Sequence, residues 1–311
     1  MLNSMLASAE SILPIFALIF AGLLLRRLGL FGADFVSTSS LLVHRVALPV
    51  MVFQKMIRVR TIPEELYLGI GILALATVAV SLILYLVTFS MEGPRRGSFV
   101  QGCFRSNVAI IGLALVESRF GLTAMQTTAV IIAVMVPLYN FLSILILSHS
   151  TAGTGPGALR NVGLQVIKNP LLWGIFGGLI LGRWGFRAPP LLDQTMGYFA
   201  QLTLPLALLG IGGSLSLKGL IHRKLLWGAS SVIKLLVLPG AVWAAGTHCQ
   251  VSPNILVLLV LSAGCPTAVT SFAMAKAMGA DAELAGEIIS ATTLFSMLTL
   301  AGWIGIFPPG L

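Results

Sequence analysis

Ten apolar stretches, each long enough to cross a lipid bilayer as a helix, leave this chain one environment in which to fold. They run over about 9–26, 38–57, 66–91, 98–117, 122–148, 166–184, 190–215, 224–246, 252–277 and 284–307. A crossing helix needs about 20 mostly apolar residues, because each rises about 1.5 Å through a hydrocarbon core about 30 Å thick. Charge is correspondingly scarce: 9% of the 311 residues are Asp, Glu, Lys or Arg, and mean hydropathy is +0.98. A soluble domain carries about 25% charged residues. A soluble enzyme, a disordered tail and a nucleic-acid binder are therefore excluded, despite a net charge of +9. The 3 cysteines, Cys103, Cys249 and Cys265, are far apart with no CxxC spacing, which implies neither a disulfide framework nor a metal site. The first stretch lacks a basic leader, is followed by Arg26-Arg27, and reads as an uncleaved anchor. The chain reads as an all-α membrane protein whose constant partner is the lipid bilayer.

The basic residues orient it. With the N-terminus outside, eleven Lys and Arg fall on the inner side: Arg26, Arg27, Arg95, Arg96, Arg105, Arg160, Lys168, Lys218, Arg223, Lys224 and Lys276. Six fall outside, at Lys55, Arg58, Arg60, Arg119, Arg183 and Arg187. Cytoplasmic loops carry the excess of basic residues, so both termini are expected outside and the polar stretch Ser148–Gly163 inside.

Shifting the chain by 156 residues lays Ile19–Leu30 over Ile175–Phe186 with seven of twelve positions identical, including Gly22 on Gly178 and Arg27 on Arg183. The same shift carries Pro14 onto Pro170 and Leu48-Pro49 onto Leu204-Pro205. Five stretches per copy is an odd number, so the second copy enters the membrane from the other side. The expected division is 1–148 for the first repeat, 149–165 for a cytoplasmic linker and 166–311 for the second repeat. Inverted repeats characterise secondary transporters, whose sites lie near the midplane on interrupted helices.

The fourth stretch in each copy carries such an interruption. One reads Cys103-Phe104-Arg105-Ser106-Asn107 ahead of Gly112, and the other Cys265-Pro266-Thr267-Ala268-Val269-Thr270. Pro266 has no backbone N–H and clashes with the preceding turn. Backbone groups freed within a membrane persist only where protein, water or a ligand satisfies them, and the N-terminal ends of half-helices suit an anion. Taken singly, Asn107 and Pro266 fit ordinary helix packing; their matching places in two inverted copies favour a binding site.

The pattern resembles the auxin efflux carrier family, in its bacterial members. The matching residues are Leu13-Pro14, Gly22 and Arg27; Val46-Ala47-Leu48-Pro49 and Phe53; Arg105-Ser106-Asn107, Gly112 and Gly121; Asn169-Pro170; Leu204–Leu209 with Gly212 and Ser214-Leu215; and Pro266-Thr267-Ala268-Val269. The resemblance implies ten transmembrane helices in two inverted five-helix repeats, with broken helices four and nine crossing, and a scaffold domain beside a transport domain. It implies alternating access, elevator-like, for a small organic anion in the bacterial cytoplasmic (inner) membrane. In plant relatives an Asn at the fourth-helix break contacts the substrate carboxylate, and Asn107 holds that motif position. Ser106 stands where those relatives have Pro, so a milder break is expected. Bacterial relatives include malonate and malate carriers, which makes a dicarboxylate the leading substrate. A sodium-coupled carrier of bile acid symporter type and an exporter of auxin-like aromatic acids are the alternatives.

The substrate-binding candidates are therefore Asn107, Ser106, Gly112, Cys265, Pro266, Thr267, Thr270 and Arg45. Ionisable residues inside membrane segments are functional candidates by default. Arg45 holds a second carboxylate or snorkels, and His44 beside it is a proton-coupling candidate. Lys234 and Glu287 are coupling candidates too, read against a scaffold role for Lys234 and an interfacial place for Glu287. No nucleotide-binding motif exists and no cofactor is expected; H+ or Na+ is the coupling ion, or the carrier is a uniporter. A carbonyl and hydroxyl cage at the helix breaks could hold sodium. An intramembrane enzyme needs paired Asp, a Ser with its base or a metal set, and none lies at a shared depth. The sequence is compatible with a homodimer.

Overall fold

The computed structural model describes residues 2–59, 62–151, 167–216, 220 and 223–307, and every regular element among them is a helix. The helices are α1 (Leu2–Arg27), α2 (Ala33–Met56), α3 (Glu65–Val87), α4 (Gly93–Phe104), α5 (Val108–Ser150) and α6 (Pro170–Arg183). There follow α7 (Pro190–Ser214), α8 (Lys224–His248), α9 (Pro253–Gly264), α10 (Thr270–Ala277) and α11 (Ala282–Ile306). Six of them, α2, α3, α5, α7, α8 and α11, are long and apolar enough to cross a membrane; α6 and α9 are shorter apolar helices. Most of the 149–165 linker lies outside the described residues, as do Arg60, Arg160, Lys218 and His222.

Each of the ten apolar stretches lies largely on helix, the fourth divided between α4 and α5 and the ninth between α9 and α10. The fourth and fifth share α5, which turns sharply at Gly121, where φ is 79° and ψ −168°. The outer face of α3 presents Leu68, Leu75, Leu82 and Leu86 to its surroundings, a continuous apolar surface suited to lipid and not to water.

Chain ends of helices follow from local chemistry. Gly29 and Gly185 both adopt φ +76°, a conformation that costs glycine nothing. Beyond them the Leu30 amide donates to the Leu25 carbonyl and the Phe186 amide to the Leu181 carbonyl, each at 3.0 Å. These bonds close the last turns of α1 and α6, and the two ends are 156 residues apart.

The helices pack in two groups. In one, α1 lies along α7 and α2 along α6, with α2 also on α7. In the other, α3, α4, α5 and α8–α11 pack together, and α1 touches α5 and α11 across the boundary. Glycines allow the closest approaches: a Cβ on Gly22 would meet the Leu209 carbonyl, and one on Gly178 the Phe53 carbonyl.

Both α2 and α8 contain a π-helical turn, Val43–Ala47 and Ile233–Val237, and each turn is followed directly by Leu-Pro. A proline within a helix cannot bond the carbonyl four residues back, which leaves Leu235 without its helical donor from Pro239. The Trp303 indole N–H donates to that Leu235 carbonyl at 2.9 Å, tying α11 to α8. Replacing Trp303 with Phe is expected to cost about 1–2 kcal/mol by stranding a buried carbonyl. The measurement is the thermal midpoint in detergent against wild type; an unchanged midpoint would show that the bond contributes nothing.

Candidate functional site

The second group is organised around two interrupted helices. One chain segment leaves α4 at Phe104, turns extended at Arg105, passes through Ser106 and Asn107, and enters α5 at Val108. The other leaves α9 at Gly264, passes through Cys265–Val269 and enters α10 at Thr270. The first break is three residues long and the second five.

The breaks hold each other. Ser106 and Thr267 form an antiparallel bridge, in which the Asn107 amide donates to the Pro266 carbonyl at 2.8 Å and the Ala268 amide to the Arg105 carbonyl at 3.0 Å. The hydroxyls work reciprocally. Ser106 Oγ donates to the Ala263 carbonyl at 3.2 Å, and Thr267 Oγ1 to the Gly102 carbonyl at 2.7 Å. Each acceptor lies four residues before the opposite member of the bridge, so each hydroxyl replaces a helical bond that the other break removes. Thr267 also accepts a place from α11: its amide donates to Thr292 Oγ1 at 3.1 Å. A Cβ on Gly112 would lie 3.2 Å from Cys265 Sγ, so the glycine makes room for the buried thiol.

Arg105 is the residue that sequence reasoning misplaced. Counted there as an inner-loop cation, it lies instead at the crossing, 7% exposed. Its Nη1 donates to Ser143 Oγ at 3.1 Å and to the Met274 sulfur; its Nη2 donates to Asn140 Oδ1 at 2.8 Å and Thr270 Oγ1 at 3.1 Å. All four partners are neutral. Without Arg105 ten basic residues remain on the inner side of the charge count against six. Arg105 and Asn107 flank Ser106, whose hydroxyl is engaged across the crossing. Asn107 is buried, does not cap the helix it precedes, and its carboxamide makes no hydrogen bond among the described residues. The first amides of α5 and α10 begin helices; those of Ile110 and Ile111 donate to the Asn107 carbonyl, and those of Ser271 and Phe272 to the Ala268 and Val269 carbonyls. Thr270, at the start of α10, is exposed beside the guanidinium.

Lys234 meets the crossing from α8, fully buried at 0% exposure on the π-turn. Its ammonium donates to Ser106 Oγ at 2.5 Å and to the Ala263 carbonyl. Neither Lys234 nor Arg105 forms a salt bridge among the described residues.

The other predicted residues are not brought here. Arg45 is exposed on the π-turn of α2, and half-buried His44 places Nδ1 2.9 Å from the Ser40 carbonyl of its own helix. Arg45 thus stands on α2, in the group of helices that packs with α6 and α7 and does not carry the two interruptions. Glu287 is buried at 6% exposure on α11, in electrostatic reach of Arg223. Arg223 itself donates to Asp281 at 2.6 Å, and that hydrogen bond holds its guanidinium pKa above the ordinary range. Asp281 in turn accepts from the Leu284 amide at 2.9 Å and caps α11. At the other end of the bundle Lys55 of α2 pairs with Glu117 of α5, and Gln126 donates to the Lys55 carbonyl at 2.6 Å. Among the described residues no cluster of His, Cys, Asp and Glu could hold a metal ion.

A family model described as "membrane transport protein" matches residues 7–154 and 157–304. An uncharacterized transporter from Methanothermobacter thermautotrophicus is 23% identical over 303 residues, covering 96% of this chain and 98% of its own. A second, from Methanocaldococcus jannaschii, is 22% identical over 309 residues, covering 95% and 98%. A protein from Rhizobium meliloti, whose name gives malonate transport as a provisional assignment, is 24% identical over 316 residues, covering 96% and 95%.

Proposed function

The chain belongs to the membrane transport protein family, the auxin efflux carrier-like group, and is a membrane transporter rather than an enzyme; from that premise we propose that it carries a small dicarboxylate across the bacterial cytoplasmic membrane. The observation behind this reading is the buried Arg105, held by neutral groups alone, beside the unpartnered Asn107 carboxamide and two half-helix N-termini. A cation taken out of water is costly without a counter-charge, and here the compensating charge is the substrate's. One carboxylate accepts from Asn107 and the amides that begin α5, where the helix dipole favours an anion. The other meets the Arg105 fork, which matches carboxylate geometry. The name of the Rhizobium meliloti relative supports malonate as the first acid to try.

Two inverted five-helix repeats, 1–148 and 166–311, account best for the packing. Gly22 faces the Leu209 backbone and Gly178 the Phe53 backbone, and the 156-residue shift converts one contact into the other. The group containing α1, α2, α6 and α7 serves as scaffold, and the group containing the crossing moves against it in alternating access. Both termini lie outside. Without a nucleotide motif, the driving force is an ion gradient, the membrane potential or the substrate's own gradient.

Uptake of labelled malonate and malate into proteoliposomes, under imposed proton or sodium gradients, tests the proposal. Asn107→Ala is expected to reduce uptake by about 10- to 100-fold, the equivalent of one hydrogen bond to a charged group, about 1.5–3 kcal/mol. Wild-type protein that moves neither acid under any gradient would refute the dicarboxylate reading, and aromatic acids would be assayed next.

A further inference from the structure

The two hydroxyl–carbonyl pairs that knit the crossing are equivalent in geometry but not in what surrounds them. No charged group hydrogen-bonds Thr267 Oγ1 or the Gly102 carbonyl among the described residues, and the Thr267 amide donates to the neutral Thr292 hydroxyl. Ser106 Oγ and the Ala263 carbonyl are met by the Lys234 ammonium. The Ala263 carbonyl stands in the last turn of α9 (Pro253–Gly264), where free carbonyls and the helix dipole present negative potential. A hydroxyl and a carbonyl at such an end are the oxygen ligands that a hard monovalent cation takes.

We propose that the Lys234 ammonium is a built-in cation, seated where the Ser106 hydroxyl and the Ala263 carbonyl meet, in the place a free alkali cation would otherwise occupy. Three observations carry it. The ammonium is fully buried, and no acid pairs with it among the described residues, so its charge is balanced by dipoles as a bound ion's would be. One of its ligands, Ser106, lies in the first break, and the other, the Ala263 carbonyl, is in the last turn of α9 where the second break begins, so the cation clamps the two interrupted helices together. And it reaches them from α8, whose π-turn Ile233–Val237 aims the side chain inward. The charge that sodium would bring to the crossing is therefore supplied covalently, and the wild-type protein needs no sodium to hold the crossing.

Truncating the side chain leaves the two oxygens and a channel the width of an alkyl stem, which is a vacant site for sodium or a short alkylammonium. The experiment is thermal melting of the purified protein in choline, sodium or ethylammonium chloride at equal ionic strength. Melting needs no substrate, so the result is independent of which anion, if any, is carried. Wild type is expected to melt at the same temperature in all three salts. Lys234→Ala is expected to melt several degrees lower in choline and to recover at least half of that loss, saturably, in sodium or ethylammonium. Lys234→Met, which fills the stem without the charge, is expected to melt low in every salt. A wild-type midpoint that rises in sodium overturns the proposal, as does an alanine variant deaf to both small cations or a methionine variant as stable as wild type. An alanine variant recoverable only when purified in sodium or ethylammonium supports it; one lost in all three salts while Lys234→Met is recovered overturns it.

Discussion

Arg105→Gln is expected to lower malonate uptake by about 10- to 100-fold while leaving any monocarboxylate that the carrier accepts within a few-fold. The asymmetry follows from the different carboxylates that Asn107 and Arg105 hold in the proposed site. Asn107 and the first amides of α5 serve one carboxylate in either substrate, whereas only the second carboxylate of a diacid needs the guanidinium. Losing a charge-assisted hydrogen bond costs about 1.5–3 kcal/mol, and each 1.4 kcal/mol is about tenfold in affinity. Glutamine retains donors for Asn140 and Thr270, which accept from Arg105 at 2.8 and 3.1 Å, so the local framework survives. Arg105→Lys keeps the charge but not the planar fork, and its uptake is expected to fall between the two. Competition between labelled malonate and unlabelled mono- and diacids in proteoliposomes provides the measurement. Equal losses for both classes, with a lowered thermal midpoint, would make Arg105 a structural strut between α4, α5 and α10 and remove it from the binding site.

Arg105 also marks where the sequence stops being legible. Apolar runs of twenty residues have one stable interpretation in a membrane, so all ten stretches lie largely on helix, and the Pro266 break and its partner at Arg105–Asn107 were visible as polar intrusions. What the alphabet could not supply was direction. The stretch 98–117 reads as a membrane segment with a polar interruption, yet the charge count sets Arg105 among the inner-side cations. Arg45 carried an equally strong signal from within α2, yet it lies exposed on its π-turn while Lys234 on the other π-turn is buried. Helical phase after a bulge is set by the backbone, and residue types do not report it. Asn140, Ser143 and Thr292 were invisible because isolated Ser, Thr and Asn in apolar helices usually bond their own backbone, as Thr292 Oγ1 also does to Ile288. For Lys234 a signal did exist: a cation within an apolar span, five residues before Pro239, with no acid in the same stretch. Its meaning needed the location of Ala263.

Gly22→Val and Gly178→Val are expected to destabilise the protein by about 3 kcal/mol or more each, and by similar amounts. Overpacking a tight contact ordinarily costs about 1–3 kcal/mol, and here the obstacle is backbone, which cannot rotate away. A Cβ on Gly178 would stand 2.7 Å from Met56 Cβ and 2.8 Å from the Phe53 carbonyl oxygen, and one on Gly22 would press on the Leu209 carbonyl. Small residues at helix contacts are how membrane helices gain dispersion energy, since lipid is as apolar as leucine and offers no hydrophobic drive for association. Gly71, on α3 with no atom within 4 Å of its would-be Cβ, is the control: Gly71→Ala is expected to be neutral or stabilising by up to about 1 kcal/mol through helix propensity. Thermal midpoints in one detergent compare the three. Similar losses at positions 22 and 178 would mean that the α1–α7 and α2–α6 contacts are energetic equivalents, as a duplicated and inverted ancestor requires. A large loss at one position alone would mean that one pairing carries the scaffold, and that the resemblance between residues 19–30 and 175–186 has outlived any shared mechanical role.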